Sequence, residues 1–155
     1  MSIPRPGDKR FQILNYVGIV DQLATTVANR LLAADDLPLA QFVMLNHFSH
    51  EPARGQTVME VARAFQTQQA GITKMLQRLV KKGYLRVEHS REDRRLRIHC
   101  ITEQGLRAHA DAIGRLMPEI ARTFAQWQPA DIDRLHGLLF RLKDWLDRDR
   151  DREPG

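Results

Sequence analysis

Between Thr57 and Cys100 the apolar residues run first at helical spacing and then in strict alternation, and that change of period leaves few folds open to the segment. Thr57-Val58-Met59-Glu60 has the form of a capping box. The threonine hydroxyl can accept the third helical N–H while Glu60 reaches back to the N–H of Thr57. Behind it Val58, Val61, Ala62 and Phe65 share one helix face, and the polar Gln66-Thr67-Gln68 is long enough only for a turn. A second helix carries Ile72, Met75, Leu76, Leu79 and Val80 on one face. It stops at Gly83, suited to the left-handed conformation that ends helices, after Lys81 and Lys82. Leu85, Val87 and His89 then alternate with Arg86 and Glu88, and Leu96, Ile98 and Cys100 alternate with Arg97 and His99. The charged residues 90–95 join these two strands as a hairpin loop. Helix, short turn, helix and basic hairpin is the order of a winged helix-turn-helix, whose second helix lies in a major groove while the hairpin reaches a flanking groove or phosphates.

Longer helices flank this core. From about Phe11 to Leu32, Ile13, Tyr16, Val17, Val20, Leu23, Ala24, Val27 and Leu31 repeat at steps of three and four, until Asp35, Asp36 and Pro38 break the pattern. A helix from about Pro38 to Ser49 carries the apolar residues Leu39, Phe42, Val43, Leu45 and Phe48, with Pro38 suited to its first turn. Glu51, Pro52, Arg54 and Gly55 form a polar loop. After the hairpin, Thr102-Glu103-Gln104-Gly105 opens a helix with Leu106, Ala110, Ile113, Met117, Ile120 and Phe124. Pro129 interrupts, and a last helix carries Ile132, Leu135, Leu139, Leu142 and Leu146. The expected fold is mainly α: a winged helix-turn-helix with a two-stranded β-wing and long terminal dimerisation helices. Residues 1–37 form the arm and first dimerisation helix, 38–104 the DNA-binding core, 105–147 the C-terminal dimerisation helices, and 148–155 a disordered tail. The terminal apolar stripes exceed what a small reading head can cover, which predicts a tight dimer.

The 155-residue chain holds 24 Lys and Arg against 19 Asp and Glu, and the excess is local. Thr57 to Arg107 contains 11 of these cations and 5 of these anions, against 13 and 14 in the remainder. Such a surface fits a polyanion, nucleic acid first. On the second helix of the pair, Ala70, Lys74, Gln77 and Lys81 centre the face opposite the apolar arc, flanked by Thr73 and Arg78. No acid stands among them. Glutamine can read a base edge, while lysine and arginine bind phosphate or guanine.

Other classes are excluded. No apolar run approaches the length of a membrane span. Residues 1–10, with Pro4, Arg5, Pro6 and Asp8, lack the apolar core of a secretory leader. A single cysteine, Cys100, rules out an internal disulfide and a cysteine zinc site, so a reducing cytoplasm is expected. Cys100 shares a strand face with Leu96 and Ile98 and reads as a small buried residue rather than a redox sensor. His47 and His50, beside Glu51, fall short of the three ligands a zinc site needs, so no metal is expected. No nucleophile–base pair, phosphate-cradling glycine loop or carboxylate pair is present, which argues against an enzyme and against any cofactor. Trp127 and Trp145 fall on or beside the terminal helices, where packing uses them.

Several motifs recur together: Gln41-Phe42 with Leu45; Val58-x-x-Val61-Ala62; Ile72-Thr73-Lys74-x-Leu76-x-x-Leu79 followed by Lys82-Gly83-Tyr84-Leu85; Asp93-Arg94-Arg95; and Thr102-Glu103-x-Gly105. On these, residues 39–105 resemble the MarR (multiple antibiotic resistance regulator) family of bacterial transcription factors. The resemblance implies a homodimer with intertwined terminal helices and two reading heads on a palindromic operator. It also implies repression that a small-molecule effector relieves, in a pocket between the dimer helices and the reading head, lined by Tyr16, His47 and Phe48. The DNA-binding set is then Thr73, Lys74, Gln77, Arg78 and Lys81 on the helix and Arg91, Arg94 and Arg95 on the wing. Arg95 enters the minor groove, Asp93 orients it, and Arg91 and Arg94 contact phosphates. Ala70 and Gly71 depart from the family, which often has Ser or Thr there, so base reading should shift to Thr73, Lys74 and Gln77. A winged helix serving only protein interaction or assembly is the competing reading, and the local basic excess argues against it.

Overall fold

A computed structural model describes residues 7–150 and Arg152. Helix α1 (Lys9–Leu32) leads through a 3-10 turn (Ala33–Asp35) to α2 (Leu39–Ser49), α3 (Val58–Phe65) and α4 (Gln69–Lys81). Strands β1 (Leu85–His89) and β2 (Arg97–Ile101) follow, then α5 (Glu103–Thr123) and α6 (Pro129–Asp149). Of the expected tail, Arg148 and Asp149 complete α6, whereas residues 151 and 153–155 lie outside the described residues, as do 1–6 of the arm. The chain forms two compact units that meet between Leu116 and Met117 within α5. Pro118 stands next to that point inside the helix, where it cannot donate the i→i−4 bond to Gly114. Among the described residues, no helix is long and apolar enough to cross a membrane.

Local chemistry sets most element ends. Asp8 caps α1 by accepting the Arg10 N–H at 2.8 Å, and its bonds to the Arg10 guanidinium hold its carboxyl down to about 2. Pro38 precedes α2 as its N-cap, one place before the first turn, and its carbonyl accepts the Gln41 and Phe42 N–H groups. The capping box of α3 forms on both sides: Glu60 N–H donates to Thr57 Oγ1 at 3.2 Å and Thr57 N–H to Glu60 Oε2 at 2.7 Å. The same bond from Thr57 keeps the Glu60 carboxyl below its ordinary range. Gln66 ends α3 at φ 50°, and Gly83 takes the chain out of α4 at φ 76°.

The core of the first unit joins Leu32 and Leu37 with Met44, Leu45 and Phe48 of α2, Val61 of α3, and Ile72, Leu76 and Leu79 of α4. Leu85 and Ile101 close it at the root of the antiparallel hairpin, where they face each other. Simple alternation in the wing does not survive: only Leu85 of β1 is buried, whereas His99, Cys100 and Ile101 of β2 are buried in succession. The cause is the loop before α3. Gln56 adds a one-residue bridge to β2, exchanging both backbone bonds with His99 at 3.0 and 2.7 Å. Gly55 beside it runs so close to the opposite face that an added Cβ would lie 3.0 Å from Cys100 Sγ. Both faces of the strand root are therefore covered. At the start of α5, Thr102 Oγ1 accepts the Gly105 N–H at 3.0 Å, and Gly105 lies against the chain so tightly that a Cβ would meet the Tyr84 carbonyl oxygen at 2.2 Å. The Thr-Glu-x-Gly motif is thus a cap joined to a crossing point.

α1 and α6 differ from this core. α1 buries only Ala28 and Leu32, and Phe11, Leu14, Tyr16, Val20 and Leu23 stand exposed along it. In the second unit α6 buries no residue and exposes Leu138, Phe140, Trp145 and Leu146.

Candidate nucleic-acid interface

Burial of Ile72, Leu76 and Leu79 fixes the rotation of α4, and that rotation turns Lys74, Gln77, Arg78 and Lys81 outward with Thr73 half-buried at their flank. Ala70 and Gly71 lie exposed in the first turn, where no acidic residue occurs. The helix therefore presents hydrogen-bond donors and no carboxylate.

The wing loop organises itself. Ser90 Oγ accepts the Glu92 and Asp93 N–H groups at 3.2 and 3.4 Å, and His89 Nδ1 bonds the Arg94 carbonyl at 2.9 Å. Asp93 Oδ1 accepts the backbone N–H of Arg95 at 2.9 Å. Asp93 thus acts on the chain that carries Arg95 rather than on its guanidinium. Arg91, Arg94 and Arg95 are all exposed.

Pairing separates the cations of this segment. Lys82 pairs with Asp36, Arg86 with Glu88 and Arg107 with Glu103. Among the described residues, Lys74, Arg78 and Lys81 of α4 and Arg91, Arg94 and Arg95 of the wing enter no ion pair, and neither do Arg63 of α3 and Arg97 of β2. Arg63 and Arg97 were passed over in sequence, although both belong to the basic stretch. Lys82, in contrast, is turned inward.

The three residues expected around an effector occupy different settings. Tyr16 is exposed on α1, Phe48 is wholly buried in the core, and His47 Nε2 bonds Gln56 Oε1 at 2.8 Å with edge contacts to Phe48 and Phe65. None of them lines the groove of about 570 Å³ that opens between α1, α2 and the start of α4. Its walls include Thr25, Asn29, Val43, Phe65, Thr67 and Gly71.

The remaining titratable groups belong to packing. Burial pushes the Cys100 thiol up, away from reactivity. His99 is 6% exposed and burial lowers its pKa, with Arg97 adding to the effect. His109 stacks on Phe42, bonds Asn46 Oδ1 at 3.0 Å, and is likewise lowered by burial and then by His50. Among the described residues, no three His, Cys, Asp or Glu side chains converge as a metal site requires.

The buried helix pair, the two-stranded hairpin and the donor-rich outer face define a winged helix-turn-helix. No curated protein matches the chain in sequence. Residues 35–96 match the model of the MarR family. The whole chain has the fold of that family's transcriptional regulators. It is similar to a MarR protein from Peptoclostridium difficile (TM-score 0.79, 20% identity, 96% of this chain and 94% of that one). It is also similar to the transcriptional regulator BldR from Sulfolobus solfataricus (0.75, 22%, 91% and 99%). A third likeness is to a mutant MarR from E. coli complexed with operator DNA (0.74, 19%, 90% and 99%).

Proposed function

We propose that the protein is a cytoplasmic transcriptional regulator that binds a pseudo-palindromic duplex operator as a homodimer and represses until a small molecule releases it. One observation carries the reading: the cations of α4 and the wing loop are exposed and unpaired, while neighbouring Lys82, Arg86 and Arg107 are paired. Unpaired arginine and lysine on one face suit a row of phosphates, whose counterions they displace. Thr73, Lys74 and Gln77 read base edges, Arg78, Lys81, Arg91 and Arg94 hold phosphates, and Arg95 enters the minor groove from a loop that Asp93 shapes. The operator complex of the E. coli relative supports this use of the fold.

The exposed apolar length of α1 and α6 supports dimerisation through the terminal helices. For the effector we favour the groove over the surroundings of Tyr16, His47 and Phe48, because Phe48 is sealed in the core and Gln56 already satisfies His47. Gly71 and Thr67 form one wall of that groove, so an occupant would press on the start of the reading helix.

Selecting bound duplexes from genomic fragments, then screening small molecules for release of the best one, tests both halves. Retention on duplex DNA that does not weaken with salt would instead favour a protein-interaction module.

A further inference from the structure

Two motif residues, Gln41 and Lys82, carry no part of the proposed DNA contact, yet the structure joins them. Lys82 Nζ donates to Gln41 Oε1 at 2.7 Å and to the backbone carbonyl of Asp36, and pairs with the Asp36 carboxylate at 3.2 Å. The three donors of the ammonium thus meet three acceptors from the α1–α2 turn and the start of α2. Gln41 is 5% exposed, and Asp36 is held at φ 49°, a left-handed conformation that a non-glycine residue rarely keeps without reason. The turn is gripped from a second side: Asp35 takes the guanidinium of Arg115 in α5, with Nη2 at 2.8 Å from Oδ1. The start of α5 closes the ring. Thr102 Oγ1 donates to the Gly83 carbonyl at 2.6 Å and Gln104 Nε2 to that of Lys82 at 3.4 Å. The C-terminal end of α4 is tied on two sides, whereas its N-terminal end has no side-chain cap and borders the groove.

We propose that Lys82 is a positioning residue for DNA reading: it fixes the end of α4 against the α1–α2 turn and so sets the angle at which Thr73, Lys74 and Gln77 meet the bases, without touching DNA itself. The inference rests on α4 being the reading helix. Bidentate base contacts tolerate little displacement, so a loosened helix loses discrimination before it loses attraction to phosphate. Without Lys82 the buried Gln41 oxygen is left without its donor, which loosens the same joint.

Lys82→Met keeps the apolar stem and removes the three donors. Binding to a selected operator and to random duplex is measured across several salt concentrations, together with amide hydrogen exchange. The expected result is a loss of about tenfold or more on the operator, with random duplex changed less than about twofold and its salt slope intact. Exchange should quicken at the end of α4 and not in α3. Asp36→Asn, which tolerates the left-handed conformation and keeps the carbonyl, should shift operator binding the same way by less. Lys81→Met is the contrast, with both duplexes weakened and the slope lowered. If Lys82→Met lowers the slope by about one unit and weakens both duplexes alike, Lys82 is a phosphate contact and the proposal fails. A lower melting temperature with operator preference intact also overturns it, as does unchanged exchange at the end of α4. Should the wild-type chain prefer no duplex, the DNA-reading proposal is what fails, and exchange alone then supports or overturns the anchoring.

Discussion

In the proposed interface Arg95 and Gln77 stand for two ways of recognising DNA, and each makes a separable expectation. The guanidinium of Arg95 is unpaired while its backbone is held by Asp93, so truncating it leaves the wing loop in shape. Arg95→Ala should weaken operator binding by about 1–3 kcal/mol and relax any preference for A·T pairs flanking the half-sites, with thermal stability nearly unchanged. Unaltered binding and sequence profile in a less stable variant would mean the arginine is only structural. Gln77→Ala should cost about 1–3 kcal/mol on the operator and much less on random DNA, because a base-edge contact carries sequence information. Lys81→Ala should instead weaken both duplexes and lower the salt slope by about one unit. Equal losses on both duplexes for Gln77→Ala would leave sequence recognition to DNA shape. At this scale the outward residues of α4 were legible, because helical period alone decides which face Ile72, Leu76 and Leu79 bury. The inward turn of Lys82 was not, since its acceptors lie more than 40 residues earlier in the chain.

Among the elements, the helix ends were the most readable parts, and the wing the least. The capping box at Thr57 and the left-handed exit at Gly83 are decided by residues within a few places of each other. The successive burial of His99, Cys100 and Ile101 depends on a loop 40-odd residues away, which places Gln56 and Gly55 on the strand, and no local pattern announces that. The same enclosure yields a pH expectation. Burial holds His99 and His109 below their ordinary 6.5, so above that value both folded and unfolded chains carry them neutral and the full stability is present. As pH falls below 6.5 the unfolded chain takes up protons first, and stability is lost progressively toward the folded-state pKa values. Thermal unfolding followed from about pH 7.5 to about pH 5 should show a falling melting temperature, and His99→Gln should flatten part of that fall. An acid-induced decline of the same size in His99→Gln would assign it to other groups.

Over the whole molecule, the winged helix was legible from motif order, while the exposed apolar faces of α1 and α6 were legible only as excess. α1 keeps Leu23 63% and Tyr16 59% exposed, and Trp145 of α6 remains 56% exposed, large apolar side chains of the kind that partner surfaces cover. Sedimentation at micromolar concentration should therefore report a dimer, and a stable folded monomer there would count decisively against the operator-binding homodimer. If α1 is the dimer surface proposed above, its bare length also makes abundance part of control. Below the dissociation constant of the dimer, the concentration of paired subunits, and with it operator occupancy, climbs as the square of the amount synthesised. In the proposed homodimer, while operators are far from saturated, halving the concentration of this chain lowers occupancy about fourfold, so that growth without fresh synthesis relieves repression without any ligand.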